Sequence, residues 1–482
     1  MSANKKFEKA KVGLFLIASP RFKNMGEGQK RGTYHQRKTG ETERLIDSLN
    51  TTMDVIYPGI VYDRNDTQHA MDLFFAEKVD FVVAQFLSWS EDFAWIRFFR
   101  DMPEIPILFI NPVKETVDFE TTLDEDDFVE FLSSGTLVGS LEGSGSITRL
   151  GRKAVKVVMR SRDEIRDEII SFSKVAKVRS VLRNSTFGLL ASYNELMWST
   201  YMDPYNFFTK LGPEIRFISY STLQKEIDNV TDEETTSYKY ALTSKYSTSD
   251  DIDNDKFIAS VRASVGIAKL TERLGIDTMV FNDVDPAMFE IIGLRPGFYH
   301  PSFERNLSVL VPEADMGAGL ITFILKLISR KHVNFIEPFH IEAAENTFAA
   351  GHAGPNDHTD PNHAGNVIIA RDVRFAKTKY KYAGAPFAWY RFPAAKMTMA
   401  QFIECNGKYK LVCSLVDCLD NNKHLFASYS HGIFRPSMPV KEMFEKILKI
   451  GTTQHFAIVE GDYRKELSTL SEIMDFEYYE IN

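Results

Sequence analysis

Four side chains in the second half of this 482-residue chain have the types and spacing to hold a metal ion: Glu313, Glu337, His352 and His431. Glu313 stands in Val-Pro-Glu-Ala-Asp (311–315), ahead of an apolar run, 316–328, that reads as a helix. Glu337 closes the apolar stretch Val-Asn-Phe-Ile (333–336), and Pro338 keeps it extended. Strand ends are where α/β proteins place ligands. His352 lies in Ala-Gly-His-Ala-Gly (350–354), whose small residues let backbone approach a bound group. His431 follows in Ser-Tyr-Ser-His-Gly (428–432). Two carboxylates with two imidazoles suit Mn²⁺, Co²⁺, Fe²⁺ or Mg²⁺ better than a structural Zn²⁺. Such an ion would polarise a carbonyl, and a carboxylate beside it could move a proton between adjacent carbons.

Histidine usage points to the same region. Eight of the eleven histidines lie between His332 and His455, where an even spread would put about three. Each residue also has a plainer reading. Glu313 could be an acid favoured at a helix N-terminus, and any single histidine could belong to a core or a surface. His358 and His363 sit in a Gly/Asn/Asp/Pro-rich stretch where a loop accounts for them.

The elements that must position these residues come from periodicity. Strand-length apolar runs at 11–18, 53–60, 79–87 and 105–113 alternate with helical periods at 39–49, 67–77 and 91–102. Gly-Ser-Gly-Ser (143–146) follows no clear strand and lacks the Lys-Ser/Thr of a phosphate loop, so it reads as a turn. A helix over 162–177 closes this part. A second alternation has strands at 186–193, 214–220 and 277–282 and a helix at 255–274. The acidic, Ser/Thr-rich 228–254 reads as a surface insertion or loop. Strand-like runs at 367–375, 387–392, 397–405 and 408–416 predict antiparallel structure, and helices close the chain at 443–448 and 464–474. The expected fold class is α/β: two doubly wound Rossmann-like domains, 1–180 and 181–330, followed by a β-rich, barrel-like domain, 331–482, that carries part of the site.

Composition narrows the partners. Hydrophobic residues make up 44% and charged ones 26%, as in a globular protein. A net charge of −9 argues against a general nucleic-acid binder, which needs basic surface. The N-terminus has no apolar signal core, and no apolar run approaches the roughly 20 residues of a membrane span. The expectation is a cytoplasmic protein with no membrane or nucleic-acid partner. Cys405, Cys413 and Cys418 are expected to be free thiols.

With these motifs in this order, the chain resembles the L-arabinose isomerase and L-fucose isomerase superfamily of metal-dependent aldose–ketose isomerases. The resemblance lies in Pro-Glu-Ala-Asp-Met-Gly-Ala-Gly-Leu (312–320), Phe-Ile-Glu (335–337), Gly-His (351–352) and the distal His431. The closing Thr-Gln-His-Phe-Ala-Ile-Val-Glu-Gly-Asp (453–462) is similar to that family's tail. The resemblance implies four metal ligands, Glu313, Glu337, His352 and His431, with Mn²⁺ as the ion. It implies that Glu313 and Glu337 double as the acid/base pair carrying a proton between C1 and C2 of an open-chain sugar through a cis-enediol. It also implies a homo-oligomer (trimer, tetramer or hexamer) with its active site near a subunit interface.

One segment departs from the family. Its first strand leads into a Gly-Ser-Gln-type loop, whereas this chain has Ala-Ser-Pro-Arg-Phe-Lys (18–23) and Glu-Gly-Gln-Lys-Arg (27–31). Arg21, Lys23, Lys30, Arg31, Arg37 and Lys38 form a basic segment in an acidic chain. It reads as a solvated loop or subunit contact, or as a clamp for a sulfonated, phosphorylated or carboxylated sugar, with Arg21, Lys23 and Arg31 as substrate contacts. A non-catalytic sugar-binding or regulatory protein, and a metal-dependent hydrolase or lyase, are the competing readings.

Overall fold

Short apolar runs that alternate with amphipathic ones become two parallel sheets and two mixed sheets in the computed structural model, which describes residues 6–117, 124–374, 377–421, 423–424 and 430–482. The chain divides into two compact units. One is Phe7–Ser180 with Ser468–Asp475; the other contains Lys6, Val181–Leu467 and Phe476–Asn482.

In the first unit, β1 (Ala10–Ile17), β2 (Met53–Ile56), β3 (Phe81–Phe86), β4 (Ile107–Val113) and β5 (Val155–Ser161) pair in parallel in the order β2-β1-β3-β4-β5. The helices are α1 (Tyr34–Leu49), α2 (Arg64–Glu77), α3 (Asp92–Asp101), α4 (Glu125–Ser133), α5 (Leu137–Arg149) and α6 (Arg162–Leu182). α1 begins earlier than its apolar period because Thr33 and Gln36 form a capping box that starts it at Tyr34.

Gly-Ser-Gly-Ser (143–146), expected to be a turn, lies inside α5. The glycines serve close packing. A Cβ on Gly143 would sit 2.5 Å from the Phe86 ring and 2.7 Å from the Trp95 indole nitrogen, and that indole donates to the Gly143 carbonyl at 2.9 Å.

In the second unit the chain passes through β6 (Thr186–Leu190), α7 (Pro204–Asn206), β7 (Glu214–Ile218), α8 (Tyr220–Asp228), α9 (Asp232–Lys245) and β8 (Ser247–Thr248). It continues through α10 (Asn254–Leu274), β9 (Thr278–Phe281), α11 (Pro286–Ile292), α12 (Ser302–Arg305), β10 (Val309–Val311) and α13 (Met316–Ser329). The β-rich part follows: β11 (Val333–Glu342), β12 (Thr347–His352), β13 (Val367–Arg371), β14 (Pro386–Tyr390), β15 (Ala395–Cys405), β16 (Lys408–Cys418) and β17 (Ser430–Pro436). The chain ends with α14 (Val440–Ile450), β18 (Phe456–Glu460), α15 (Arg464–Met474) and β19 (Glu477–Glu480).

Strands β10-β9-β6-β7 form a parallel sheet, and β14-β13-β8 a small mixed one. A seven-stranded mixed sheet runs β15-β18-β11-β12-β17-β16-β19, and a further β15–β16 pairing joins its first strand to its sixth. The stretch 228–254, expected to be a loop or insertion, contains α9. The threonine and acids at 231–234 are the helix start rather than loop residues. Thr231 and Glu234 form a capping box, Asp232 and Glu233 complement the helix dipole, and Tyr238 and Leu242 are buried one turn apart.

Helix α13 matters most to the site. Every residue from Met316 to Ile328 is buried, because the helix packs on β9 and β10 of the parallel sheet and on β11, β15 and β18 of the mixed sheet. Two glycines permit this. A Cβ on Gly317 would lie 2.1 Å from the Phe402 carbonyl oxygen in β15, and one on Gly319 would lie 2.7 Å from Val280 in β9. No cysteine is paired: Cys413 and Cys418 are buried and Cys405 is half-buried. Among the described residues no helix is long and apolar enough to cross a membrane.

Candidate metal centre

The link from β10 to α13 turns sharply. Glu313 and Ala314 have φ values of +60° and +58°, a left-handed conformation that is strained for residues other than glycine and concentrates at functional sites. The bend is pinned by its backbone: Glu313 N–H donates to Asp283 Oδ1 at 2.9 Å and Ala314 N–H to the Phe281 carbonyl at 3.1 Å. Asp315 then caps α13, accepting from Ala318 N–H at 2.8 Å.

Two histidines meet Glu313 there. His352 is the last residue of β12, and His455 immediately precedes β18; both strands flank β11. His352 Nε2 lies 3.2 Å from Glu313 Oε1, and His455 Nε2 lies 3.2 Å from Glu313 Oε2. One donor atom from each of the three residues falls within 4.8 Å of the others, and all three residues are buried. Glu313 Oε2, His352 Nε2 and His455 Nε2 nevertheless have no hydrogen-bond partner. These atoms are ion-paired to one another rather than hydrogen-bonded to the rest of the protein, so the three residues form a group that could hold a cation.

The surroundings hold these donors in place. Asp315 Oδ2 accepts from His455 Nδ1 at 2.9 Å, which fixes the ring with Nε2 toward Glu313. The Phe335 ring centroid is 4.6 Å from each imidazole. Asn356 ties Phe335 N–H, at 2.9 Å, to the His352 carbonyl, at 3.1 Å. Arg295, fully buried, donates its Nε–H to Asp283 and places Nη2 3.7 Å from Glu313 Oε1. Its two terminal nitrogens have no hydrogen-bond partner.

The charges follow from this geometry. Burial would raise the Glu313 carboxyl, yet the two imidazoles hold it far below the usual carboxylate range. Burial would lower His455, but the Asp315 and Glu313 carboxylates push it up to about 9. A site this anionic favours a cation, bound either as a proton or as a metal ion.

Of the four expected ligands, Glu313 and His352 converge. Glu337 and His431 lie outside the three-residue group. Glu337 is half-buried in β11, paired with Gly351, the residue before His352. Its preceding residue, Ile336, pairs with Phe456, the residue after His455. The Glu337 backbone therefore lies between those of the two histidines. His431 pairs with Gly351 from the other side, in β17, but its Nε2 is 3.4 Å from the Lys423 carbonyl and its ring is 6.4 Å from that of His424. The imidazole thus turns toward the 423–424 segment, and it is His455 that stands beside Glu313.

Arg21, Lys23 and Arg31 belong to the other compact unit and are exposed. Each has its own partner there. Arg21 lies 5.5 Å over the Trp89 ring, Lys23 lies 5.2 Å over the Tyr62 ring, and Arg31 pairs with Asp127 at 3.6 Å.

A second convergence, Glu304, His332 and Asp357, also brings donor atoms together. It already holds a cation of its own, because the buried Lys326 ammonium contacts Glu304 and lies 3.9 Å from Asp357. Burial and Asp357 push Glu304 up to about 8. This cluster is a closed ion-pair network.

Asp315 and His455 were not among the expected ligands. Both had a signal: Asp315 occupies the capping position before α13, and His455 stands directly ahead of the apolar Phe-Ala-Ile-Val (456–459), a strand-end place like that of Glu337. No protein-family model matches the chain, and a search of curated proteins returns no match.

Proposed function

We propose that the protein is a metal-dependent aldose–ketose isomerase with Glu313, His352 and His455 as metal ligands and Glu337 completing the set. What carries the reading is the convergence of buried Glu313, His352 and His455, with both Nε2 atoms 3.2 Å from the carboxylate, at a bend braced by Asp315 and Asp283. A mixed carboxylate and imidazole set fits Mn²⁺, with Co²⁺, Fe²⁺ or Mg²⁺ as substitutes. When bound, such an ion would supply Lewis-acid polarisation of the sugar carbonyl.

The protein's own groups do the rest. Glu313 is held ionised between two imidazoles, so it serves as a ligand and is a poor base. Glu337, at the half-buried middle of β11, is free of that pairing and takes the C2 proton of an open-chain sugar, returning it at C1 through a cis-enediol. Arg295 offers unpaired N–H groups to a substrate oxygen beside Glu313. The basic segment with Arg21, Lys23 and Arg31 would select an anionic sugar from across a subunit contact in a homo-oligomer. In this reading the two parallel sheets belong to two doubly wound domains and the mixed sheet to a barrel-like third.

The test is a screen of neutral and anionic aldoses with the Mn²⁺-loaded protein, read as ketose formed. Glu337→Gln should keep its metal and lose roughly 10²–10⁴ in kcat. A wild-type rate in that variant would sink the assignment. A metal-free protein that binds sugar without turnover would point to a sugar sensor instead.

A further inference from the structure

The first unit contains a cavity of about 360 Å³ to which nothing above assigns a role. Its volume falls at the lower end of the roughly 300–1,000 Å³ typical of small-molecule sites. No residue lining it belongs to the metal centre.

The position of the cavity follows from the sheet. In the order β2-β1-β3-β4-β5 the direction of strand addition reverses between β1 and β3. Open parallel sheets bind ligands at the carboxyl ends of strands at such a reversal. Leu16 and Gln85, paired across β1 and β3, line the cavity, as do Leu87 beyond β3 and Val113 at the end of β4. Helices α1 and α6 form its sides. Arg162 of α6 reaches Glu41 of α1 at 3.0 Å, and Arg166 donates to the Ser48 carbonyl at 3.3 Å.

The lining is cationic although the chain is acidic. Lys38, Arg44, Lys114, Arg162 and Arg166 face three acids, Glu41, Glu130 and Asp163. Glu41 is shared by two of the cations, Lys38 and Arg162, at 3.0 Å each. Lys38 is 5% exposed, and its ammonium has three N–H donors, of which Glu41 takes one. Arg44 forms no ion pair among the described residues, and Lys114 lies 3.9 Å from Glu130. Apolar Leu16, Leu45, Leu87 and Ile165 supply surface for a hydrophobic body.

We infer that this cavity binds a small anionic metabolite, with its phosphate or carboxylate against the cationic rim and its ring or chain over the sheet. Two features of the sequence meet here: Lys38, the last residue of the basic segment, and a switch point of the parallel sheet.

The experiment is calorimetric titration of the full-length protein with AMP, benzoate and, as a neutral control, adenosine. Saturable 1:1 binding of AMP or benzoate is expected, with adenosine weaker than AMP. Which of the two anions binds tells a phosphate from a carboxylate preference. Exposed Arg44 and Lys114 allow charge reversal without core damage. Arg44→Glu/Lys114→Glu should weaken binding at least tenfold with the melting temperature and metal content unchanged. Arg44→Gln alone gives the same readout if the double variant unfolds. The inference is overturned if neither anion saturates, if adenosine binds as tightly as AMP, or if charge reversal leaves the affinity unchanged.

Discussion

Asp315 uses its two carboxylate oxygens for different tasks: one caps α13 through Ala318 N–H, the other anchors His455 Nδ1. The tasks can be separated. Asn still caps a helix, so Asp315→Asn should keep the start of α13 while weakening Mn²⁺ binding about 10–100-fold, measured by competition with a chelating dye. His455→Ala should lose the metal on elemental analysis and His431→Ala should keep it, because the His431 ring faces the 423–424 segment. The raised pKa of His455 sets a pH dependence with a definite sign. In the metal-free protein this imidazole stays protonated up to about 9, against its usual 6.5, so Mn²⁺ must displace a proton at neutral pH. Calorimetry at pH 7.5 in buffers of different ionisation enthalpy should show about one proton released. The folded state binds this proton more tightly than the unfolded chain does. Its contribution to stability is therefore complete below about 6.5 and is lost as pH rises through about 9. The melting temperature of metal-free protein should fall across that interval, and that of His455→Gln should not.

At the scale of elements, the placement of α13 between two sheets decides whether Glu313 and Asp315 reach the histidines. Glycine sets that placement where backbone comes close. Gly317→Ala would force a methyl to 2.1 Å from the Phe402 carbonyl and should cost at least 1–3 kcal/mol, with loss of metal affinity as the helix start moves. Gly145→Ala is the contrast. It also lies within a helix, α5, but nothing stands within 4 Å of its Cβ position, so the same change should stabilise by about 0.5–1 kcal/mol. Urea unfolding of both variants tests the pair. Gly143, in the same helix as Gly145, has the opposite surroundings. Gly-Ser-Gly-Ser looked like a turn because local propensity favours one, but Gly143 is required by contact with Phe86 and Trp95, residues distant in sequence.

At the scale of the molecule, the proposed ion would join three segments far apart in sequence: the bend at Glu313, the end of β12 at His352 and the start of β18 at His455. Its removal should therefore register in global unfolding. A free Mn²⁺ concentration about a hundred times the Kd should add about 2.7 kcal/mol to the stability of the folded state. A chelator should lower the melting temperature accordingly, and Glu313→Gln should abolish the difference.

Most strands and helices were legible because each apolar run carries its own period and because caps such as Asp315 are local. Glu313 and His352 were legible because they sit at element boundaries in motifs with specific neighbours. What local pattern left open was which histidine meets them. His431 and His455 are both buried and both lie at strand starts, so types and spacing alone did not separate them. Strand order separated them: β18 and β12 both pair with β11, which brings His455 and His352 to Glu313 at the mouth of α13, whereas His431, one strand further on in β17, lies against the Lys423 carbonyl. The sequence by itself determined the donors available and the elements that carry them. The tertiary structure decided which of those donors share a point, because sheet pairing joins residues more than a hundred positions apart and no local signal records that choice.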